Sequence, residues 1–200
     1  METAELCAEN YLKQHSLLPQ RFSKEEQREG KTPDFRVFKQ SDLVAYCEAK
    51  HVQRDEWLDE KLKKAEPLEL VGGMRPDPIF NRLTAHIHTA AKQFAAVNPN
   101  REYPNILFFQ NSDKACKMAD LLAVLKGNFY AEGGIVEPIY KAFSEGRIKD
   151  EKLTIDVYLW LDDWKAAPQK TKSYYWEDSQ HYKRVCELLQ SDPKNHRHVP

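Results

Sequence analysis

No stretch of the 200 residues approaches the eighteen or so consecutive apolar residues that a membrane-spanning helix requires. The opening segment, METAELCAENYLKQH, carries acids where a secretory signal would be basic, and it has no apolar central region. The expectation is a cytoplasmic protein with no membrane partner. Cysteine is sparse: Cys7, Cys47, Cys116 and Cys186 stand far apart and form no CxxC or CxxH pair. That spacing disfavours a zinc ribbon and a disulfide framework, and leaves reduced, mostly buried thiols. Glycine is also scarce, and neither Gly72-Gly73 nor Gly133-Gly134 is followed by the Gly-Lys-Ser/Thr of a phosphate-binding loop. An excess of either charge is missing too. A net charge of −1 weighs against a protein that coats nucleic acid non-specifically, since counterion displacement needs a strong basic surplus. It does not exclude an enzyme whose clustered carboxylates mask a local basic groove. Residues 11–54 hold nine Lys/Arg against six acids, a patch that suits phosphate contact or a solvated face.

The chain has 41% hydrophobic and 30% charged residues, the composition of an ordinary folded domain. Thr3 to about Leu18 places Ala4, Cys7, Ala8, Tyr11, His15 and Leu18 on one side of a helix. After the polar SKEEQREGK, read as an exposed turn, PDFRVF and DLVAYCEAK flank the turn-like KQSD and predict an antiparallel hairpin. Residues 53–78 read as a crossing segment and loop. Leu83, Ile87, Ala90, Phe94 and Val97 form the stripe of a helix over 79–97, stopped at Asn98-Pro99. NILFFQN (105–111) suits a strand covered on both faces. Ser112 is read as the cap of a further helix reaching about Leu125, with Gly127 just past its end. A strand over 152–161 and a helix over 176–190 complete the pattern, and Tyr174-Tyr175-Trp176 is read as aromatic packing at that helix's entrance. No linker or repeat divides the chain. The expected architecture is α/β, one domain over 1–190 with a mixed central sheet flanked by helices, and a frayed tail over 191–200.

Within the hairpin, Asp34 opens one strand and Glu48 lies near the end of the other. Two carboxylates a few ångströms apart repel one another unless a cation lies between them, which suits Mg²⁺, an ion that accepts one or two protein carboxylates. Lys50, two residues beyond Glu48, points to the same face of its strand. Its ammonium can position or help deprotonate water and offset charge on a phosphorane-like transition state.

Thr32-Pro33-Asp34-Phe35, eleven intervening residues, and Cys47-Glu48-Ala49-Lys50 resemble the signature of the PD-(D/E)xK nuclease superfamily, the restriction-endonuclease-like domains. The resemblance implies a nuclease with that fold. It makes Asp34 and Glu48 metal ligands, with the main-chain carbonyl of Ala49 as a third, and gives Lys50 the water-positioning role. Glu9 resembles the acid that some members carry on their first helix, with Glu5 one turn away as the other match. The implied cofactor is Mg²⁺, for which Mn²⁺ substitutes, and the implied partner is nucleic acid, DNA favoured over RNA. A homodimer or larger assembly is compatible with this reading. The (D/E)xK pattern occurs six times, but only Glu48-Lys50 closes an apolar strand that follows a Pro-Asp strand at hairpin distance.

The helix over 79–97 adds Arg82, His86, Thr89 and Gln93, a polar stripe beside its apolar face. Gln93, which resembles a helical Gln of some family members, is the preferred supporting residue, with His86 and Arg82 beside it. His86 and His88 diverge by about 200° on a helix and do not chelate one ion. The competing readings are a catalytically silent nucleic-acid-binding module and a protein-interaction subunit of a repair or defence assembly on the same fold.

Overall fold

The computed structural model describes residues 3–54, 56–72, 79–130, 136–138, 148, 150–164, 170–176 and 178–192, so most of the expected tail lies outside the described residues. Helix α1 (Ala4–Gln14) starts where Thr3 turns extended and its side-chain oxygen accepts the Leu6 amide at 3.3 Å. Ala4, Ala8 and Leu12 are its buried stripe. It ends short of Leu18 because Ser16 takes a left-handed φ of 60°. The chain then enters an edge strand, β1 (Leu18–Arg21), three of whose four residues are exposed, so no apolar alternation announces it. The polar stretch read as a turn contains a short helix, α2 (Lys24–Glu29). Its start is a capping box: Ser23 accepts the Glu26 amide while the Glu26 carboxylate accepts the Ser23 amide.

The hairpin forms as an antiparallel pair of β2 (Phe35–Lys39) and β3 (Asp42–Val52), with Phe35 opposite Cys47 and Lys39 opposite Asp42. Gln40 takes a φ of 57° in the two-residue turn, the conformation that matches the twist of the paired strands. Beyond it lie α3 (Trp57–Lys64), inside the segment read as a crossing loop, then α4 (Ile79–Val97) and β4 (Asn105–Asn111). They are followed by α5 (Met118–Lys126), the small pair β5 (Asn128–Tyr130) and β6 (Val136–Pro138), a 3₁₀ turn (Glu151–Thr154), β7 (Val157–Asp162), β8 (Lys172–Tyr175) and α6 (Tyr182–Leu188).

Three sequence expectations shift. Helix α5 begins at Met118, because the Ser112 hydroxyl is not a cap and instead donates to Asp163 at 3.1 Å. Strand β7 begins at Val157, since residues 151–154 form the 3₁₀ turn. Tyr174 and Tyr175 end strand β8, so α6 starts later than expected; both tyrosines and Trp176 are buried as packing.

The main sheet has the order β1-β2-β3-β4-β7-β8, parallel among β3, β4 and β7 and antiparallel outside them. This is an α/β fold with a six-stranded mixed sheet flanked by helices. Helices α1 and α6 cover one face, against Phe35, Val37, Cys47, Ala49, Ile106, Phe108 and Leu159. Helices α4 and α5 cover the other, against Tyr46, Leu107, Phe109, Tyr158 and Trp160. Strand β4, at the centre, is buried along its whole length. No described helix is long and apolar enough to cross a membrane, and no disulfide joins the four cysteines.

Asp156, fully buried just before β7, ties the parallel strands at their entry. Its carboxylate accepts the Asn105 amide at 2.7 Å, the Arg101 guanidinium at 3.0 Å and the Ser179 hydroxyl. Asp156→Ala leaves these donors unmet and should cost about 2–4 kcal/mol in urea unfolding. A loss below about 1 kcal/mol would show that water replaces the carboxylate there.

Candidate functional site

Successive β3 residues point to opposite faces, so Cys47 and Ala49 enter the α1 core while Glu48 and Lys50 face α4. The register opposing Phe35 to Cys47 sets Asp34, one residue earlier, level with Glu48. The two acids are cross-linked through each other's backbone. The Asp34 amide donates to Glu48 Oε2 at 2.9 Å, and the Ala49 amide donates to Asp34 Oδ2 at 2.8 Å. In a strand the N–H and C=O of one residue point to the same edge. The Ala49 carbonyl therefore points to the β2 side as well, toward Asp34. Pro33 holds Thr32 extended, and the Thr32 carbonyl accepts Gln93 Nε2 of α4 at 2.9 Å. Gln93 Oε1 in turn accepts Lys50 Nζ at 3.2 Å, and the same ammonium donates to Glu48 Oε1. Asp34, Glu48, Lys50 and Gln93 are thus one connected polar network between the hairpin and α4.

Glu48 is only 2% exposed. Burial, and then the neighbouring Asp34 charge, push its carboxyl up to about 7, against the opposing pull of Lys50. Asp34 is also raised, first by burial, while the Ala49 amide pulls the other way. The Cys47 thiol beneath them is held well above its ordinary range by burial and by both acids, so it serves as packing. At neutral pH the pair resists carrying two negative charges, and a cation between them would relieve that cost.

Helix α1 contributes through Glu5, whose charge raises Asp34; Glu9 is engaged with Lys13 at 2.6 Å. Of the α4 stripe, Gln93 reaches Lys50. Arg82 is committed to the Gln53 carbonyl at 2.9 Å and to Asp113 at 2.7 Å, and His86 packs edge-on against Phe109 with ring centres 6.2 Å apart. His88 goes its own way to Glu151 at 2.6 Å. Sequence reasoning passed over a groove of about 480 Å³ between the loop entering β2 and α4, lined by Lys31, Thr32, Thr89, Lys92 and Gln93 among others. The signal for it was present in the i, i+4 pair Thr89 and Gln93.

A second polar cluster lies at the far ends of the parallel strands. His51 Nε2 is 2.7 Å from the Ser112 hydroxyl, which donates to Asp163. Its order is wrong for nucleophilic catalysis: the serine is central and buried, whereas an activated serine needs the histidine between it and the acid.

Among the described residues no group of three or more histidines, cysteines or acids is placed to hold a metal ion, so Asp34 and Glu48 are a two-carboxylate pair. No family model, curated protein or solved structure matches the chain.

A carboxyl raised from 4.5 to about 7 stabilises the fold fully below its unfolded value and loses that contribution as pH rises through 7. Metal-free protein should therefore lose stability between pH 5 and pH 8. Glu48→Gln should remove on the order of 2 kcal/mol of that loss, measured by urea unfolding in chelator. Parallel pH profiles for wild type and variant would show that Glu48 ionises without penalty.

Proposed function

We propose that this chain is a divalent-metal-dependent nuclease with a restriction-endonuclease-like fold, hydrolysing phosphodiester bonds, DNA favoured over RNA, at Asp34, Glu48 and Lys50. The observation that carries the reading is the pair of acids, Glu48 buried and Asp34 half-buried, cross-linked at the open end of the β2–β3 hairpin. Asn and Gln at these positions would make the same backbone hydrogen bonds without charge. Choosing two carboxylates instead costs desolvation and mutual repulsion, which the single ammonium of Lys50 offsets for one charge and a bound divalent cation would offset for both.

The donor set fits Mg²⁺. Two hard carboxylate oxygens and the Ala49 carbonyl come from adjacent strands, leaving room for the waters that this ion retains. Bound there, Mg²⁺ or Mn²⁺ would supply Lewis acidity toward the phosphoryl oxygen and make water a better nucleophile. Lys50 does the rest of the electrostatic work. Its ammonium, held by Gln93 on one side and Glu48 on the other, faces the negative charge that builds on the phosphoryl oxygens during attack. Gln93 keeps that ammonium from swinging away, and it anchors the loop before Asp34 through the Thr32 carbonyl. Hydrolysis adds water across the P–O3′ bond and leaves a 5′-phosphate and a 3′-hydroxyl. Glu5 adds negative charge near Asp34 and so raises the site's demand for a cation.

The test separates ligand from catalyst. Calorimetric Mn²⁺ titration should show weakened binding in Asp34→Ala and near-normal binding in Lys50→Ala. Plasmid nicking with Mg²⁺ or Mn²⁺, abolished by EDTA, should fall about 10²–10⁴-fold in both variants. Metal-independent nicking, or equal nicking by wild type and Lys50→Ala, would sink the reading and favour the silent binding module.

A further inference from the structure

We infer that the groove beside the site takes the backbone of a single-stranded polynucleotide, with Lys31 and Lys92 contacting the phosphates that flank the cut. The inference rests on the nuclease reading only for what happens where the strand meets Lys50.

The groove runs between the segment entering β2 and helix α4, and Gln93 belongs both to its wall and to the Lys50 network. Thr32, on the opposite wall, lies two residues before Asp34. A ligand in the groove thereby lies beside the acid pair, although Asp34, Glu48 and Lys50 are not part of its lining. The chemistry of the lining selects an anion. Lys31 and Lys92 both line it, neither makes an ion pair among the described residues, and no lining residue is acidic. In a chain with 31 acids against 30 Lys/Arg, a recess holding two uncompensated ammonium groups stands apart. Of the three acids of α2, Glu26 is turned to Arg36 at 2.5 Å, and neither Glu25 nor Glu29 lines the groove. The Thr89 hydroxyl is given to the Ala85 carbonyl, but the Thr32 hydroxyl and the second N–H of the Gln27 and Gln93 amides, whose first hydrogens go to the Phe22 and Thr32 carbonyls, add neutral donors suited to phosphate oxygens.

Size and composition then choose the form of the polymer. About 480 Å³ lies in the range that encloses a ligand of one nucleotide's size, roughly 300–1,000 Å³. A duplex is a convex body that receives protein elements into its own grooves, and it does not enter a recess of this size. A single strand can lay one backbone unit into it. The lining holds no aromatic ring, so bases are not stacked or read there, and contact is made without sequence preference. Gly30 at the groove wall has an extended φ of −165°, and a Cβ built on it meets nothing within 4 Å. A larger side chain at Gly30 therefore grows into free space without disturbing the fold.

The test is fluorescence anisotropy with a labelled 12-mer of thymidine and a blunt duplex of equal length, in Ca²⁺, across a salt series. The single strand should bind about tenfold tighter than the duplex. Lys31→Ala/Lys92→Ala should weaken that binding about tenfold and flatten the log–log salt slope by about 1.4, the value for two released counterions on a single strand. Gly30→Leu should weaken binding with an unchanged thermal midpoint. Unchanged affinity and slope in the double-lysine variant, or duplex binding as tight as single-strand binding, would overturn the inference. The two readings separate cleanly. Single-strand binding lost in the lysine variant, without Mn²⁺-dependent cleavage by wild type, supports the groove and fails the nuclease. Mn²⁺-dependent cleavage of the thymidine 12-mer that survives the lysine substitutions undiminished overturns the groove and leaves the nuclease standing.

Discussion

The opposition of Phe35 to Cys47 across the β2–β3 hairpin is the constraint on which the site depends. Those two side chains are buried on the α1 face, and their packing fixes the register. A strand register is quantised, so once Phe35 meets Cys47, Asp34 must meet Glu48 on the opposite face. A slip of one residue in β2 would carry Phe35 and Val37 away from the α1 core and break the level pairing of Asp34 with Glu48. The repulsion of the carboxylates is thus held in place by apolar burial on the other side of the same strands. The crossed backbone hydrogen bonds then fix where each oxygen points.

How much of this the sequence made legible follows from where the information is stored. The hairpin, α4 and β4 each bury a long apolar pattern, and such patterns are local, so all three were readable. The acid pair and Lys50 were readable for the same reason, because they ride on those strands at fixed offsets. Strand β1 was not readable: it is short and mostly exposed, and it exists because β2 offers it an unpaired edge. Ser112 looked like a helix cap because serine caps are local, yet its hydroxyl is taken by Asp163, fifty-one residues away. Glu5 and Glu9 sit one turn apart on α1, and only tertiary packing decides which of them bears on Asp34.

Charge shows the same division. The overall balance of −1 says nothing about the groove, since its two lysines are diluted by acids that lie outside its lining. Gln93 is the hinge of the arrangement. One amide group bonds the Thr32 carbonyl with its nitrogen and Lys50 with its oxygen, so it joins the groove wall to the acid pair. An acid at position 93 would hold Lys50 more tightly but could not donate to Thr32, and a lysine there would repel the ammonium it now steadies.

The six (D/E)xK occurrences show why topology, and not the pattern, decides which acid and lysine can share one site. On a helix, residues two apart diverge by about 200°, so Asp59 and Lys61 in α3 cannot serve one site; Lys61 turns to the Gly72 carbonyl. Lys152, at the 3₁₀ turn, bonds the Leu125 carbonyl, away from the sheet's open end. Glu29 and Lys31 straddle the end of α2, which leaves Lys31 to the groove. Lys165 and Lys194 lie outside the described residues. Glu48 and Lys50 alone among the described pairs sit on one strand, where a separation of two returns the side chain to the same face. The residue between them is then forced to the other face, and Ala49 meets that demand by packing under α1 while its backbone serves Asp34. A bulky polar residue at 49 would disturb the α1 core without touching either carboxylate. The middle position of the motif is therefore constrained by packing, and its outer positions by charge.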